Sequence, residues 1–269
     1  MGRGMIDRIS THKTAIPRVN ILGVGVSAID MDMALNTIEG WIADRCPHYV
    51  CVTGVHGVME SQRDSGLKDI HNRAGLVTPD GMPLVWLSRL AGFGHVSRVY
   101  GPDLFLEVAA RSLATGYRHF YYGGGPEVAA LLKSRMIRRF PGLQVVGTYT
   151  PPFRPLTTQE EEELVRRIDA SGADIVWVGL STPKQERWMA RFVGKVQAPV
   201  LIGVGAAFDF HAGLKKQAPL WMQRNGLEWA FRMATEPRRL AGRYLTNNPR
   251  FIVRVIGQRI GWRRYPGDW

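Results

Sequence analysis

The chain is poor in cysteine. Cys46 and Cys51 are its only two in 269 residues, with no repeated spacing. They make neither a disulfide scaffold nor a zinc site, and they fit a reducing compartment. Long apolar runs are missing too. The longest, residues 198–208, falls well short of the ~18 residues that a membrane-spanning helix needs. The N-terminus has no apolar core of the signal-peptide kind. Residues 1–16 read as a loose leader. The protein is therefore expected in the cytoplasm, with any membrane contact peripheral.

Several catalytic signatures are also absent. The seven His show no metal-ligand spacing, and there is no HExxH or EF-hand pattern. There is no GxSxG elbow and no outstanding Cys/His pairing. These absences favour a mechanism without metal or cofactor. Asp30-Met31-Asp32 has the spacing of a carboxylate pair that holds a metal–nucleotide diphosphate. It sits just before a helical stripe, however, so one Asp reads as an N-cap and the other as a dipole partner.

What is present is positive charge. The chain carries a formal +12 with a pI near 10.1, which points to nucleic acid, an anionic membrane surface or a phosphorylated substrate. Residues 221–269 hold ten Arg, no Lys and only three acidic residues, Glu228, Glu236 and Asp268, a net +7. Trp229, Phe231, Tyr244, Phe251, Ile252, Ile256 and Trp262 are interleaved with them. Such a segment needs a polyanionic partner. Hydrophobic content of 45% and charge of 22% are globular values, so wholesale disorder is excluded.

Short apolar, β-branched runs alternate with helical periodicity, the pattern of a Rossmann-like α/β fold with a mostly parallel sheet flanked by helices. Predicted strands are residues 19–26, 49–53, 75–78, 98–100, 119–122, 144–147, 174–179 and 199–204. Predicted helices are 33–44, 57–72, 83–90, 104–115, 127–140, 158–171, 184–193 and 219–234. After a break at Pro237, a further helix is expected around 250–260. This divides the chain into the leader, a body over 17–218 and a helical, Arg-rich appendage over 219–269.

Four strand ends carry candidate chemistry. Tyr122 leads into Gly123-Gly124-Gly125-Pro126-Glu127, where glycines let a backbone approach phosphate at a helix start. The same residues also make an ordinary tight turn. Ser181-Thr182-Pro183 reads as a helix cap with Pro183 at the first helical position. That reading leaves Lys184-Gln185-Glu186 unexplained at the edge where open α/β sheets bind ligands. Gly203-Val204-Gly205 with Asp209 is a third turn of this kind. Thr78-Pro79-Asp80-Gly81 is a fourth. Asp80 is either half of an Asp-Gly turn or a carboxylate at the crevice that serves as general base. Thr53 ends a further predicted strand.

Taken in order, Val77-Thr78-Pro79-Asp80-Gly81-Met82-Pro83, Tyr122-Gly123-Gly124, Val178-Gly179-Leu180 with Pro183-Lys184-Gln185-Glu186, Gly203-Val204-Gly205 with Phe208-Asp209, and Trp229-Phe231-Arg232 with Glu236-Pro237-Arg238-Arg239 resemble the WecG/TagA/CpsF glycosyltransferases over about residues 20–250. The resemblance implies an inverting, metal-independent enzyme. It would move a sugar from a UDP-sugar donor to a saccharide on a polyprenyl-diphosphate acceptor, in cell-surface polysaccharide assembly. Asp80 matches the family's proposed base, and Thr53 its motif threonine. Here Thr53 is followed by Gly54-Val55-His56, where the family usually carries a nearby Asn. Gln185 falls in the donor pocket, beside the strand-end residues Gly123, Gly124, Gly125, Lys184, Glu186, Gly205 and Asp209. Arg232, Arg239 and Arg243 match arginines that hold the lipid diphosphate. An anionic membrane surface is the implied place of action, and a homo-oligomer is compatible with it. The residues alone leave two other classes open. One is an NAD(P)-dependent or other nucleotide-binding Rossmann enzyme, although the first turn, Gly23-Val24-Gly25-Val26-Ser27-Ala28, lacks GxGxxG. The other is a basic nucleic-acid-binding protein using the tail.

Overall fold

The computed structural model describes residues 16–267. The leader, but for Ile16, and Asp268 of the basic tail lie outside them.

The described chain opens with an antiparallel hairpin, β1 (Arg18–Ile21) and β2 (Val24–Ser27). A single strand over 19–26 was expected. The chain instead reverses at Leu22-Gly23, where both φ angles are positive, 54° and 81°, as a tight two-residue hairpin requires. Apolar residues on both arms hide that turn from a pattern reading.

The remaining strands form one six-stranded sheet, all parallel, in the order β4-β3-β8-β7-β5-β6. They are β3 (His48–Thr53), β4 (Leu76–Pro79), β5 (Arg118–Gly123), β6 (Gln144–Tyr149), β7 (Ile175–Gly179) and β8 (Val200–Gly203). Between them run α1 (Met31–Ala43), α2 (Val55–Glu60), α3 (Ser65–Arg73), α4 (Met82–Leu90), α5 (Gly101–Thr115), α6 (Val128–Arg139), α7 (Thr158–Ser171) and α8 (Lys184–Phe192). Side chains alternate across the sheet, so successive residues of one strand feed two cores. Val176 and Val178 join Leu164, Trp188 and Met189 on one face. Ile175 and Trp177 join Leu35, Phe105 and Leu132 on the other. Burial on both faces is why these strands read as continuous apolar runs.

Asp30 caps α1, accepting from Met33 N at 2.8 Å, and Asp32 pairs with Arg111 at 3.1 Å. Both carboxylates of that pair therefore have structural partners. Two expected elements differ. Helix 57–72 is two helices, because Asp64 caps a new one by accepting from Leu67 N at 3.0 Å. Residues 98–100 form no strand. Val99 N donates once to Pro79 O, at 3.1 Å, and Pro102 then opens α5.

The sheet is followed by α9 (Ala207–His211), α10 (Leu220–Arg224), α11 (Glu228–Thr235) and α12 (Pro237–Arg259). The expected helix 219–234 is thus divided, at Asn225-Gly226, where Gly226 has φ 70°. Pro237 starts a helix rather than breaking one, the position where its missing N–H is harmless. α12 then runs through Pro249. It is packed onto the body, with Leu240, Phe251 and Val255 buried. Gln258 Oε1 accepts from Leu22 N at 3.0 Å, and Asn20 Nδ2 donates to Tyr265 O at 2.7 Å. The appendage is therefore fastened to the N-terminal hairpin.

Candidate active site

Because all six strands run one way, the turns after β3, β4, β5, β7 and β8 gather along one edge of the sheet. The appendage helices close over that edge. Between them lies a cleft of about 1330 Å³. An ordinary small-molecule pocket holds roughly 300–1,000 Å³, so this one has room for two substrates.

Asp80 stands in its wall. Its backbone N donates to Thr53 O at 3.0 Å, tying the turn after β4 to the end of β3. Its Oδ1 accepts from Gly101 N at 3.0 Å. Its Oδ2 faces Gly54, where a methyl group would sit 3.7 Å away. Burial pushes the carboxyl above its ordinary range, and the Arg98 guanidinium pulls it back. A carboxyl raised in this way is a stronger base than an ordinary carboxylate.

Arg98 is the hub of this wall. Its Nε donates to Asp80 O and its Nη2 pairs with Glu228 of α11. Its Nη1 donates to Gln223 Oε1 of α10 at 3.3 Å. The guanidinium lies 3.8 Å from the ring centre of Tyr100, whose hydroxyl donates to Glu228 Oε1 at 3.0 Å. One side chain thus links the Asp80 turn to two appendage helices.

Lys184, Gln185, Gly205 and Asp209 also line the cleft, as do Arg232, Arg239 and Arg243 from α11 and α12. Asp209 is held by Lys215 at 2.9 Å, Lys215 by Glu236 at 3.1 Å, and Glu236 by Arg239 Nε at 2.7 Å. Arg232 lies 5.7 Å from the Phe210 ring centre, and its Nε is buried without a partner.

Comparison with known proteins bears on what such a cleft is for. The profile of the glycosyl transferase WecG/TagA/CpsF family matches residues 19–265, nearly the whole chain. The chain belongs to this glycosyltransferase family. It is 30% identical over 197 residues to a Bacillus spizizenii protein named N-acetylglucosaminyldiphosphoundecaprenol N-acetyl-beta-D-mannosaminyltransferase, covering 73% of this chain and 74% of that one. A Bacillus subtilis protein of the same name is 28% identical over 194 residues, covering 72% and 73%.

Within this family member, some expected site residues stand away from the cleft. Thr53 is buried, with its hydroxyl on Cys51 O at 3.2 Å and its methyl against Gly57. It touches Asp80 through its backbone. Gly123 packs one strand on another: with φ 110°, a methyl group there would fall 2.8 Å from Gly179 O. Gly124 and Gly125 do line the cleft, and Gly124 N donates to Gly179 O at 2.9 Å. Glu186 is 1% exposed, below the wall. Its Oε1 accepts from Thr182 Oγ1 at 2.8 Å and Gln185 Nε2 at 3.2 Å. The expected Ser/Thr cap on α8 is therefore absent: Pro183 holds the cap position, and the Thr182 hydroxyl is spent on Glu186.

Arg98, Tyr100, Gln223 and Glu228 were missed. The β-branched and aromatic surroundings of Arg98 read as a strand. A signal for Glu228 was available, as one of three acidic residues in a segment of ten Arg. Among the described residues, no group of three His, Cys, Asp or Glu could hold a metal ion. No helix among them is long and apolar enough to cross a membrane.

Proposed function

We propose that this glycosyltransferase moves a sugar from a UDP-sugar to a saccharide carried on a polyprenyl diphosphate, in the assembly of a cell-surface polysaccharide. The observation that carries the reading is the position of Asp80. Its raised carboxyl shares one cleft with three appendage arginines. The names of the relatives favour an acceptor of the N-acetylglucosaminyl-diphospholipid type.

The chemistry is a single displacement. Asp80 takes the proton from the acceptor hydroxyl as that oxygen attacks the anomeric carbon. The bond from that carbon to the UDP oxygen breaks, and the configuration inverts. UDP leaves with negative charge. The Gly125 backbone N–H and the Lys184 ammonium, both at the cleft, are the donors that meet it, which stabilises a transition state in which that charge develops. Gln185 sits beside them. No step is assigned to a metal. Arg232, Arg239 and Arg243 bind the lipid diphosphate, since guanidinium suits phosphate bidentately and stays charged.

The acceptor's lipid places the reaction at the inner face of the cell membrane. Ile252, Ile256, Ile260 and Trp262, in α12 and just beyond it, are exposed beside Arg254, Arg259 and Arg263. Apolar and aromatic groups at headgroup level, with about 1 kcal/mol per Arg near an anionic leaflet, hold a protein there reversibly.

The test is a panel of UDP-sugars offered with a short-chain polyprenyl-diphosphate-linked acceptor, read by UDP release and product mass. One donor should give an acceptor heavier by one sugar, of inverted anomeric configuration. UDP release indifferent to the acceptor, or a retained configuration, would refute the reading.

A further inference from the structure

The mechanism above leaves the histidine on the cleft wall unused. His56, in α2, lines the cleft with 23% of its side chain exposed. Its Nδ1 lies 3.3 Å from Asn247 Nδ2 in α12. An amide nitrogen only donates, so Nδ1 must be the lone-pair nitrogen. The amide is not free to flip. Arg63 Nη2, also only a donor, lies 2.8 Å from Asn247 Oδ1. Asn247 is 3% exposed, so water does not compete for either end. Arg63 orients the amide, the amide selects the imidazole tautomer, and the proton of the neutral ring sits on Nε2. Nε2 makes no hydrogen bond among the described residues, which leaves its proton for a ligand in the cleft that His56 lines.

The surrounding charges come from three elements. Glu60, on α2, is 3.6 Å from His56 Nδ1 and is paired with Arg63. Arg232 on α11 and Arg243 on α12 act on the ring from the appendage. Burial first, then Arg243, Arg63 and Arg232, push the imidazole down to about 3. At neutral pH it is an uncharged N–H donor. Arg232 lines the same cleft, and its buried Nε has no partner. Arg239 is taken up by Glu236, whereas Arg232 and Arg243 form no ion pair among the described residues.

A fixed neutral N–H beside two unpaired guanidiniums complements an oxygen that brings charge and no proton. We infer that His56 binds a phosphate oxygen of the acceptor diphosphate through Nε2–H, together with Arg232 and Arg243, and that Arg63 and Asn247 are positioning residues that hold it in that tautomer. The inference rests on the function proposed above. It adds to the acceptor site a residue from the body, so that the diphosphate bridges body and appendage.

The test uses inorganic pyrophosphate and the full chain, followed by imidazole nitrogen NMR and calorimetry. The free protein should show His56 protonated on Nε2, and that signal should move on titration. His56→Ala should weaken pyrophosphate about tenfold to a hundredfold, the worth of a hydrogen bond to a charged group. His56→Gln, whose amide N–H reaches a similar point, should recover most of that loss. Asn247→Asp turns the donor facing Nδ1 into an acceptor, draws the proton to Nδ1, and should weaken pyrophosphate as His56→Ala does. UDP affinity should stay within about twofold throughout. An Nδ1-protonated ring in the free protein, undiminished binding in His56→Ala, or weakened UDP binding in its place would overturn the inference. Thermal melts check each fold; should His56→Ala unfold, the wild-type tautomer and Asn247→Asp decide. No turnover is involved. A chain that binds pyrophosphate in this way but transfers no sugar would sink the proposed function and leave the site standing.

Discussion

Replacing Arg98 with Gln should move the acid limb of the pH–rate profile to higher pH. In the intact protein, burial raises the Asp80 carboxyl, the Arg98 charge opposes that rise, and the Glu228 charge adds to it. Without the guanidinium, burial is opposed by less, and Glu228 loses its ion partner. An opposite charge at such range is worth about 1–3 pKa units, or about 1.4–4 kcal/mol. The acid limb of kcat/KM should therefore rise by about 1–3 units, since that parameter reports the free enzyme's base. Stability should fall as well. The Arg98 and Glu228 side chains are 16% and 15% exposed, and breaking one side of a buried pair costs about 3–5 kcal/mol. Their partial exposure puts the loss near the lower end of that range. Arg98→Lys separates the two effects. It keeps the charge but cannot reach Asp80 O, Gln223 and Glu228 together. It should lose stability while its acid limb stays near that of the wild type. The assay is kcat/KM across a wide pH range with matched thermal melts. A folded Arg98→Gln protein with an unmoved acid limb would refute the reasoning.

Other outcomes follow from the same geometry. Gly123→Ala should lose about 1–3 kcal/mol of stability in a denaturant titration, because φ 110° is strained for any side chain and the methyl meets Gly179 O at 2.8 Å. An unchanged midpoint would show that the two strands part more easily than their packing implies. Truncation before Pro219 removes Arg232, Arg239 and Arg243 and uncovers core that Leu240, Phe251 and Val255 protect. Transfer to a lipid-linked acceptor should collapse while UDP binding persists; full activity would remove the appendage from the acceptor site. Turnover should survive excess EDTA, and its loss with recovery on added divalent cation would require a metal step.

The residues explain which parts of this architecture a sequence reveals. β7 and β8 are apolar on both faces, so their runs stand out. α7 is bounded as expected, because the Thr157–Glu160 capping box opens it and Gly172, in the left-handed region, ends it. The hairpin is hidden because apolar residues flank its turn on both sides, whereas the Asp64 cap had a signal, the polar run of residues 60–66. The strand-end residues Asp80, Gly124, Lys184 and Gln185 were findable together, since a parallel sheet gathers such turns at one edge. Arg98 was not. Its partner Glu228 is 130 residues away, and no local pattern encodes a pairing at that distance. The same holds for His56 and Asn247, 191 residues apart. Local rules place the crevice, but contacts between body and appendage complete it.

The most direct test of the account is Asp80→Asn, assayed for UDP release with a lipid-linked acceptor beside UDP affinity and thermal stability. The Asn side chain can still accept from Gly101 N but cannot take a proton. Loss of a general base is worth about 10²–10⁴ in rate. Stability should move the other way. The folded-state pKa of Asp80 is raised, so the stability tied to its protonated form is present below the unfolded pKa and lost as pH rises through the folded one. Above that window, the neutral variant should melt no lower than the wild type. The account predicts a rate lower by at least about a hundredfold, with UDP affinity unchanged and melting temperature equal or higher at neutral pH. Turnover near the wild-type rate in a folded, UDP-binding Asp80→Asn protein would contradict it.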